Sequence, residues 1–105
     1  MKVLYRQAAG DDLVRQFRYY LLAAAVPEVA IRFQEAVRRT VQSLRDHPRV
    51  GPRYSSSNPR LQKLRSWPVA GFEAIRIYYL LETGTMHIVR ILHGKRDVRR
   101  ILESE

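Results

Sequence analysis

The sequence predicts an α+β fold, a helical hairpin packed on a small antiparallel sheet, with elements in the order β-α-α-β-β-β-α. Three observations point there. The chain has 105 residues, 46% of them apolar, which suits one domain (residues 1–105) with one small core. Apolar residues recur at three- and four-residue steps up to residue 46, and at two-residue steps beyond residue 60. Pro27 interrupts the first stretch and restarts it, so that stretch reads as two helices.

Residues 2–7 (Lys-Val-Leu-Tyr-Arg-Gln) are short and β-favouring, and Ala-Ala-Gly follows, which predicts a first strand. From Ala8 to about Ala25, Leu13, Phe17, Tyr20, Leu21 and Ala24 form one face of a helix. Asp11 and Asp12 in its first turn suit the positive end of the helix dipole. Pro27 opens a second helix with Glu28 beside it, and Ala30, Phe33, Val37, Val41 and Leu44 carry the pattern to Asp46. A connection this tight makes the two helices an antiparallel hairpin.

Residues 47–59 hold three of the five prolines, a glycine and three consecutive serines, so they form a loop. Its length exceeds the usual connection and marks it as functional or mobile. Leu61 to Trp67 reads as a second strand, with Pro68-Val69-Ala70-Gly71 as a turn. Phe72 to Leu81 is the third strand, its inward set Ile75, Ile77 and Tyr79, with one of Tyr78 and Tyr79 facing the helices and the other outward. Glu82-Thr83-Gly84-Thr85 is a hairpin turn, and Met86 to Leu92 the fourth strand. Asp97 caps a short terminal helix reaching Glu103.

Composition narrows the function. The longest apolar run, Tyr19 to Pro27, is nine residues, against the roughly 20 that a bilayer crossing needs. The start of the chain turns polar at once, unlike a signal peptide. With no cysteine there is no disulfide, thiolate metal site or cysteine nucleophile. The expectation is a cytoplasmic protein without cofactor, metal or membrane contact. Nineteen basic residues, sixteen of them Arg, stand against ten acidic ones, giving +9. That balance points to a polyanionic partner, and Arg suits bidentate contacts to carboxylates and phosphates.

The order of elements, together with Asp12-Leu13, Pro27…Ala30…Phe33, Thr40…Leu44, Pro48…Gly51, Leu64-Arg65, Phe72, Arg76-Ile77-Tyr78-Tyr79 and the ending Ile88-Val89-Arg90-Ile91-Leu92-His93-Gly94-Lys95-Arg96-Asp97, resembles the RelE/ParE superfamily of bacterial toxins. Within it the chain is most similar to ParE-type toxins of type II toxin–antitoxin systems, the plasmid stabilisation proteins. The resemblance implies a toxin that inhibits DNA gyrase and is neutralised by an acidic ParD-like antitoxin in a hetero-oligomer. Direct nucleic-acid binding is secondary. The enzymatic alternative is a RelE-like, ribosome-dependent mRNA endoribonuclease, since fold does not decide between the two.

A metal-free nuclease needs a proton acceptor, a proton donor and cations for the phosphate charge. Arg65, Arg76, Arg90 and Arg96 are candidate cations that can share one concave region of the sheet, and the resemblance places Arg76 and Arg96 at phosphate-binding positions. The tyrosine that RelE-type enzymes carry about six residues beyond the second arginine is replaced here by Ile101-Leu102. His93 is the remaining candidate for proton transfer; its other reading is a local hydrogen bond that fixes the turn at Gly94. A binding protein rather than an enzyme is therefore the preferred reading, with Leu92, His93, Arg96, Arg99 and Arg100 of the terminal segment contacting gyrase. Leu13, Phe17, Tyr20, Phe33 and Val37 exceed what a small sheet can cover, and Arg15, Arg18 and Arg38 flank them. These eight residues are the expected antitoxin site.

Overall fold

The computed structural model describes residues 1–104. Strand β1 is Lys2–Tyr5, helix α1 is Gln7–Arg18 with a π-helical turn Tyr19–Ala23 after it, and helix α2 is Pro27–Asp46. A 3-10 turn at Pro59–Leu61 precedes strands β2 (Arg65–Val69), β3 (Phe72–Glu82) and β4 (Thr85–His93), and helix α3 is Val98–Glu103. The α+β class and the element order are those the sequence predicts.

The hairpin forms for local reasons. Pro27 occupies the first turn of α2, where its missing N–H costs nothing, and Glu28 stands beside the helix N-terminus. The preceding turn ends with Ala24 N–H donating to Tyr19 O at 2.9 Å and Val26 N–H to Tyr20 O at 2.9 Å. This wider winding is closed by Ala25 at φ 54°, a left-handed residue without the glycine that usually serves there.

The sheet order is β1-β4-β3-β2. The meander β2-β3-β4 is antiparallel as expected, but β1 pairs with β4 in parallel, Lys2 opposite Thr85 and Tyr5 opposite Ile88, so the sheet is mixed. Everything between β1 and β4 acts as the crossover that a parallel pair requires. Beyond Ile88 the edge of β4 would be bare. There the strand bulges, because Tyr78 faces Arg90 and Tyr79 faces Ile88, leaving Val89 without an opposite residue. Side chains of α1 take over the edge: Asp12 Oδ2 accepts from Ile91 N–H at 2.9 Å, and Gln16 Nε2 donates to Ile91 O at 2.9 Å.

The helix-facing side of the sheet carries Ile75, Ile77, Tyr79, Met86, Ile88 and Ile91, packed against Ala9 of α1 and Phe33, Val37, Val41 and Leu44 of α2. The opposite side is covered too. Tyr78, Val89 and Leu92 are buried with Leu61, Leu64 and Leu102, so α3 and the turn before β2 close a second small core.

Several boundaries move for identifiable reasons. Leu61 turns into a 3-10 helix and only Arg65 onwards is strand, while Pro68 lies inside β2 instead of in the turn. Pro is tolerated there because β2 is an edge strand and bulges at Pro68/Val69. The loop 47–59, expected to be functional or mobile, is pinned at its start: Tyr79 Oη donates to Pro48 O at 2.8 Å and accepts from Gly51 N–H at 3.1 Å. Asp11 and Asp12 fall beyond the first turn of α1, so the dipole reading of these residues does not hold.

Candidate functional site

Two features of the surface follow from this packing. One is a groove on the helical hairpin, the other a charge cluster built on Asp12.

The groove has a volume of about 610 Å³ and is lined by Tyr5 of β1, Leu13, Val14 and Phe17 of α1, and Phe33, Gln34, Glu35, Val37 and Arg38 of α2. Helical spacing explains it. Leu13 and Phe17 are one turn apart, as are Phe33 and Val37, and the two pairs face each other across the hairpin. Phe33 and Val37 are buried and form its floor, whereas Val14 remains 56% exposed on its rim. Of the eight residues expected to bind antitoxin, the structure brings Leu13, Phe17, Phe33, Val37 and Arg38 together here.

Three fall elsewhere. Tyr20 packs at a tilt against Phe33 and edge-to-face against Phe72, with ring centroids 5.5 and 5.8 Å apart. Tyr20 lies in the π-helical turn that follows α1, which brings its ring onto this aromatic cluster, where burial raises its hydroxyl pKa. Arg15 pairs with Asp12, and Arg18 is exposed at the end of α1. The sequence reading missed Tyr5 and Val14, both exposed apolar residues on the groove. A large apolar residue on the polar side of a helical pattern, as Val14 is, was the available signal.

Asp12 is completely buried and satisfied on every side. Arg90 donates to it twice, Nε to Oδ2 and Nη2 to Oδ1, each at 2.8 Å. Arg15 completes one side, and Arg96 Nη1 stands 3.9 Å from Oδ1. One carboxylate thus joins α1, the bulged edge of β4 and the segment leading into α3.

The four arginines expected in one concave region are dispersed. In the β2–β3 register Arg65 faces Tyr79 while Ser66 faces Tyr78, so Arg65 and Arg76 project from opposite faces of the sheet. Arg65 Nη1 donates to Gly51 O at 2.8 Å and Arg49 O at 3.2 Å. Arg76 donates from Nε and Nη2 to Ser66 Oγ at 3.3 and 3.0 Å. Arg90 and Arg96 attend Asp12. His93 Nδ1 accepts from Lys95 N–H at 3.0 Å, the local turn bond.

In the terminal segment Leu92 is 1% exposed beneath α3, which removes it from the surface expected to meet gyrase. Its side chain points to the same face as Tyr78 and Leu102, since it lies opposite Arg76 in the register. Arg96, Arg99 and Arg100 are exposed, and Arg99 Nε donates to Glu103 Oε1 at 3.2 Å. Asp97 Oδ1 accepts from Arg100 N–H at 3.3 Å and caps α3 as expected. Among the described residues there is no group of three or more His, Cys, Asp or Glu able to hold a metal ion, and no helix long and apolar enough to cross a membrane.

Residues 3–98 match the sequence model of the family described as the ParE toxin of the type II toxin–antitoxin system, parDE. No curated protein matches the sequence. Among solved structures, a chain of the chromosomal ParDE TA system from P. aeruginosa is similar in fold, with a TM-score of 0.68 at 19% identity, over 89% of this chain and 95% of that one.

Proposed function

This chain belongs to the ParE toxin family of type II toxin–antitoxin systems, and from that premise we propose that it is held silent by an acidic ParD-like antitoxin and, when released, acts in the cytoplasm by binding and inhibiting DNA gyrase.

The groove between α1 and α2 carries the antitoxin half of this reading. It is apolar along its floor, bordered by Arg38, and continuous with exposed Val14 and Tyr5. A surface of that shape suits an amphipathic helix whose apolar residues enter the groove and whose carboxylates meet arginines. Ordering such a segment costs entropy, which the wrapped apolar surface offsets. Titration calorimetry with a ParD-like antitoxin's C-terminal peptide tests it. Affinity tighter than micromolar is expected, weakening but persisting as salt rises. No binding at that level, at low and high salt alike, overturns the partner assignment.

The gyrase half rests on family membership and on the dispersal of the candidate catalytic groups. Arg65 and Arg76 leave opposite faces of the sheet, so they do not clamp one phosphate, and His93 Nδ1 is engaged by Lys95. The exposed arginines of the terminal segment, Arg96, Arg99 and Arg100, with His93, remain the surface for the target. The assay is supercoiling by purified gyrase. Inhibition with accumulation of cleaved complexes is expected, and normal supercoiling at saturating protein refutes it. Toeprinting of translated mRNA separates the alternative, because only a ribosome-dependent nuclease leaves A-site cuts.

A further inference from the structure

Between Asp46 and Glu73 the chain carries five basic residues, Arg49, Arg53, Arg60, Lys63 and Arg65, and no acidic one. The fold gathers part of this charge. Tyr54 N–H donates to Leu64 O at 2.6 Å and Ser66 N–H to Pro52 O at 3.1 Å, so residues 52–54 run antiparallel along the outer edge of β2. This pattern makes Arg53 and Arg65 a directly opposed pair of the non-hydrogen-bonded kind. Such pairs have the closest backbones of an antiparallel ladder, about 4.5 Å between Cα atoms.

Like charges placed directly opposite destabilise a sheet. No carboxylate relieves them: among the described residues Arg49, Arg53, Lys63 and Arg65 form no ion pair. Arg65 is directed onto the carbonyls of Arg49 and Gly51, and Arg49, Arg53 and Lys63 are exposed. The segment is also held in place, since Tyr79 and Arg65 pin it at Pro48, Arg49 and Gly51. The backbone that carries Arg49 and Arg53 is therefore set before any partner arrives.

We propose that this edge of the molecule binds the sugar–phosphate backbone of nucleic acid, a contact separate from the antitoxin and gyrase surfaces. The polar residues beside the cations, Ser55, Ser56, Ser57 and Asn58, are the hydroxyl and amide types that accompany Arg and Lys on phosphates. An acidic amphipathic peptide finds its apolar seat at the other side of the fold: Tyr5 of the groove is on β1, and β1 and β2 are the two opposite edges of the sheet.

The test is fluorescence anisotropy of the full chain with a labelled duplex of about 20 base pairs and a single strand of the same length, over about 50–200 mM salt. The triple variant R49Q/R53Q/K63Q is expected to lose at least about tenfold in affinity and to reduce the log–log salt slope by about 2–3, at roughly 0.9 per duplex phosphate and 0.7 per single-strand phosphate. The charge-matched variant R18Q/R32Q/R39Q, on the hairpin, is expected to stay within about twofold, because only local charge is removed. The arm in which the edge triple loses more affinity identifies duplex or single strand as the substrate. The proposal fails if the native chain binds neither, if both triples lose affinity equally, or if the edge triple loses none. It also fails if polyglutamate displaces the probe as well as unlabelled nucleic acid of equal charge, which assigns the edge to an acidic protein. Arg53→Gln alone is expected to raise Tm by relieving the opposed pair. A Tm that is unchanged or lower removes the electrostatic premise and the proposal with it.

Discussion

Replacing Asp12 with Asn keeps the shape of the side chain and removes its charge. Arg90, whose side chain is 13% exposed, then points two donors at a neutral amide, one half of which is itself a donor. Ile91 N–H loses its carboxylate acceptor at the bulged edge of β4. Breaking one partner out of a buried ion pair costs about 3–5 kcal/mol, because the remaining charge stays buried without compensation. Domains of this size hold about 5–15 kcal/mol in total. At about 4–8 °C per kcal/mol, Tm falls by about 12–40 °C. Arg15→Ala is the control: Arg15 is 50% exposed, and its pair with Asp12 is expected to be worth under about 1 kcal/mol. Urea is the denaturant to use, since a salt denaturant screens the charges under study. Trp67, the one tryptophan, packs against the helix-facing core and reports unfolding by fluorescence. In a double-mutant cycle, Asp12→Asn combined with Arg90→Met is expected to cost at least about 1 kcal/mol less than the sum of the two single changes. If Asp12→Asn costs no more than Arg15→Ala, the carboxylate is not the joint described here.

Three further outcomes follow from the packing. A Cβ at Gly51 would lie 2.7 Å from Ser66 O, a backbone atom that cannot swing away, so Gly51→Ala is expected to lower stability by about 1–3 kcal/mol in urea unfolding. Burial raises the Tyr79 pKa from 10.0, against the Gly51 N–H and Arg65, which lower it. The unfolded chain therefore ionises first, and the stability this hydroxyl provides is present below about pH 10 and is lost as pH climbs toward the folded value; Tyr79→Phe is expected to flatten that alkaline loss in melts taken across the range. Val14→Glu, on an exposed position of the groove rim, is expected to leave Tm within about 2 °C while weakening antitoxin-peptide binding at least about tenfold by calorimetry, because it sets a carboxylate where an acidic ligand's apolar face must pass.

The fold was legible where local chemistry and tertiary packing agree. Pro27 and Glu28 mark a helix start that the structure keeps, and α2 ends at Asp46 as its spacing predicts. Ile75, Ile77 and Tyr79 form the inward set because a strand's period leaves no freedom once one face is buried. What escaped is non-local. Nothing near Lys2–Tyr5 distinguishes a parallel partner from an antiparallel one, since the choice depends on a crossover of some eighty residues. Leu61 to Trp67 carries strand-like residues, yet Leu61 and Leu64 are drawn to the second core by Tyr78 and Leu102, and that pull winds the first part into a turn.

The site shows the same division more sharply. Of the nine residues that line the groove, Leu13, Phe17, Phe33 and Val37 were found because an apolar helix face identifies itself by spacing, and spacing is carried in the sequence. Asp12 was read as a dipole partner because a carboxylate early in a helix has that common use. Its actual use depends on where β1 stops. The parallel strand covers β4 only as far as Ile88, and the next open N–H and C=O, those of Ile91, must be met by something. Residues 12 and 16 stand one helical turn apart, so an acceptor and a donor at those positions reach both groups of a single residue. A carboxylate taken that deep needs compensating charge, which Arg90 provides from the bulge itself. Of the four arginines that the sequence offered as phosphate ligands, Arg90 is in this way committed to an internal carboxylate, while Arg96, 42% exposed, stands 3.9 Å from it. Among the described residues Arg49, Arg53 and Lys63 beside β2 and Arg100 on α3 form no ion pair and are exposed, so they are available to an anionic partner.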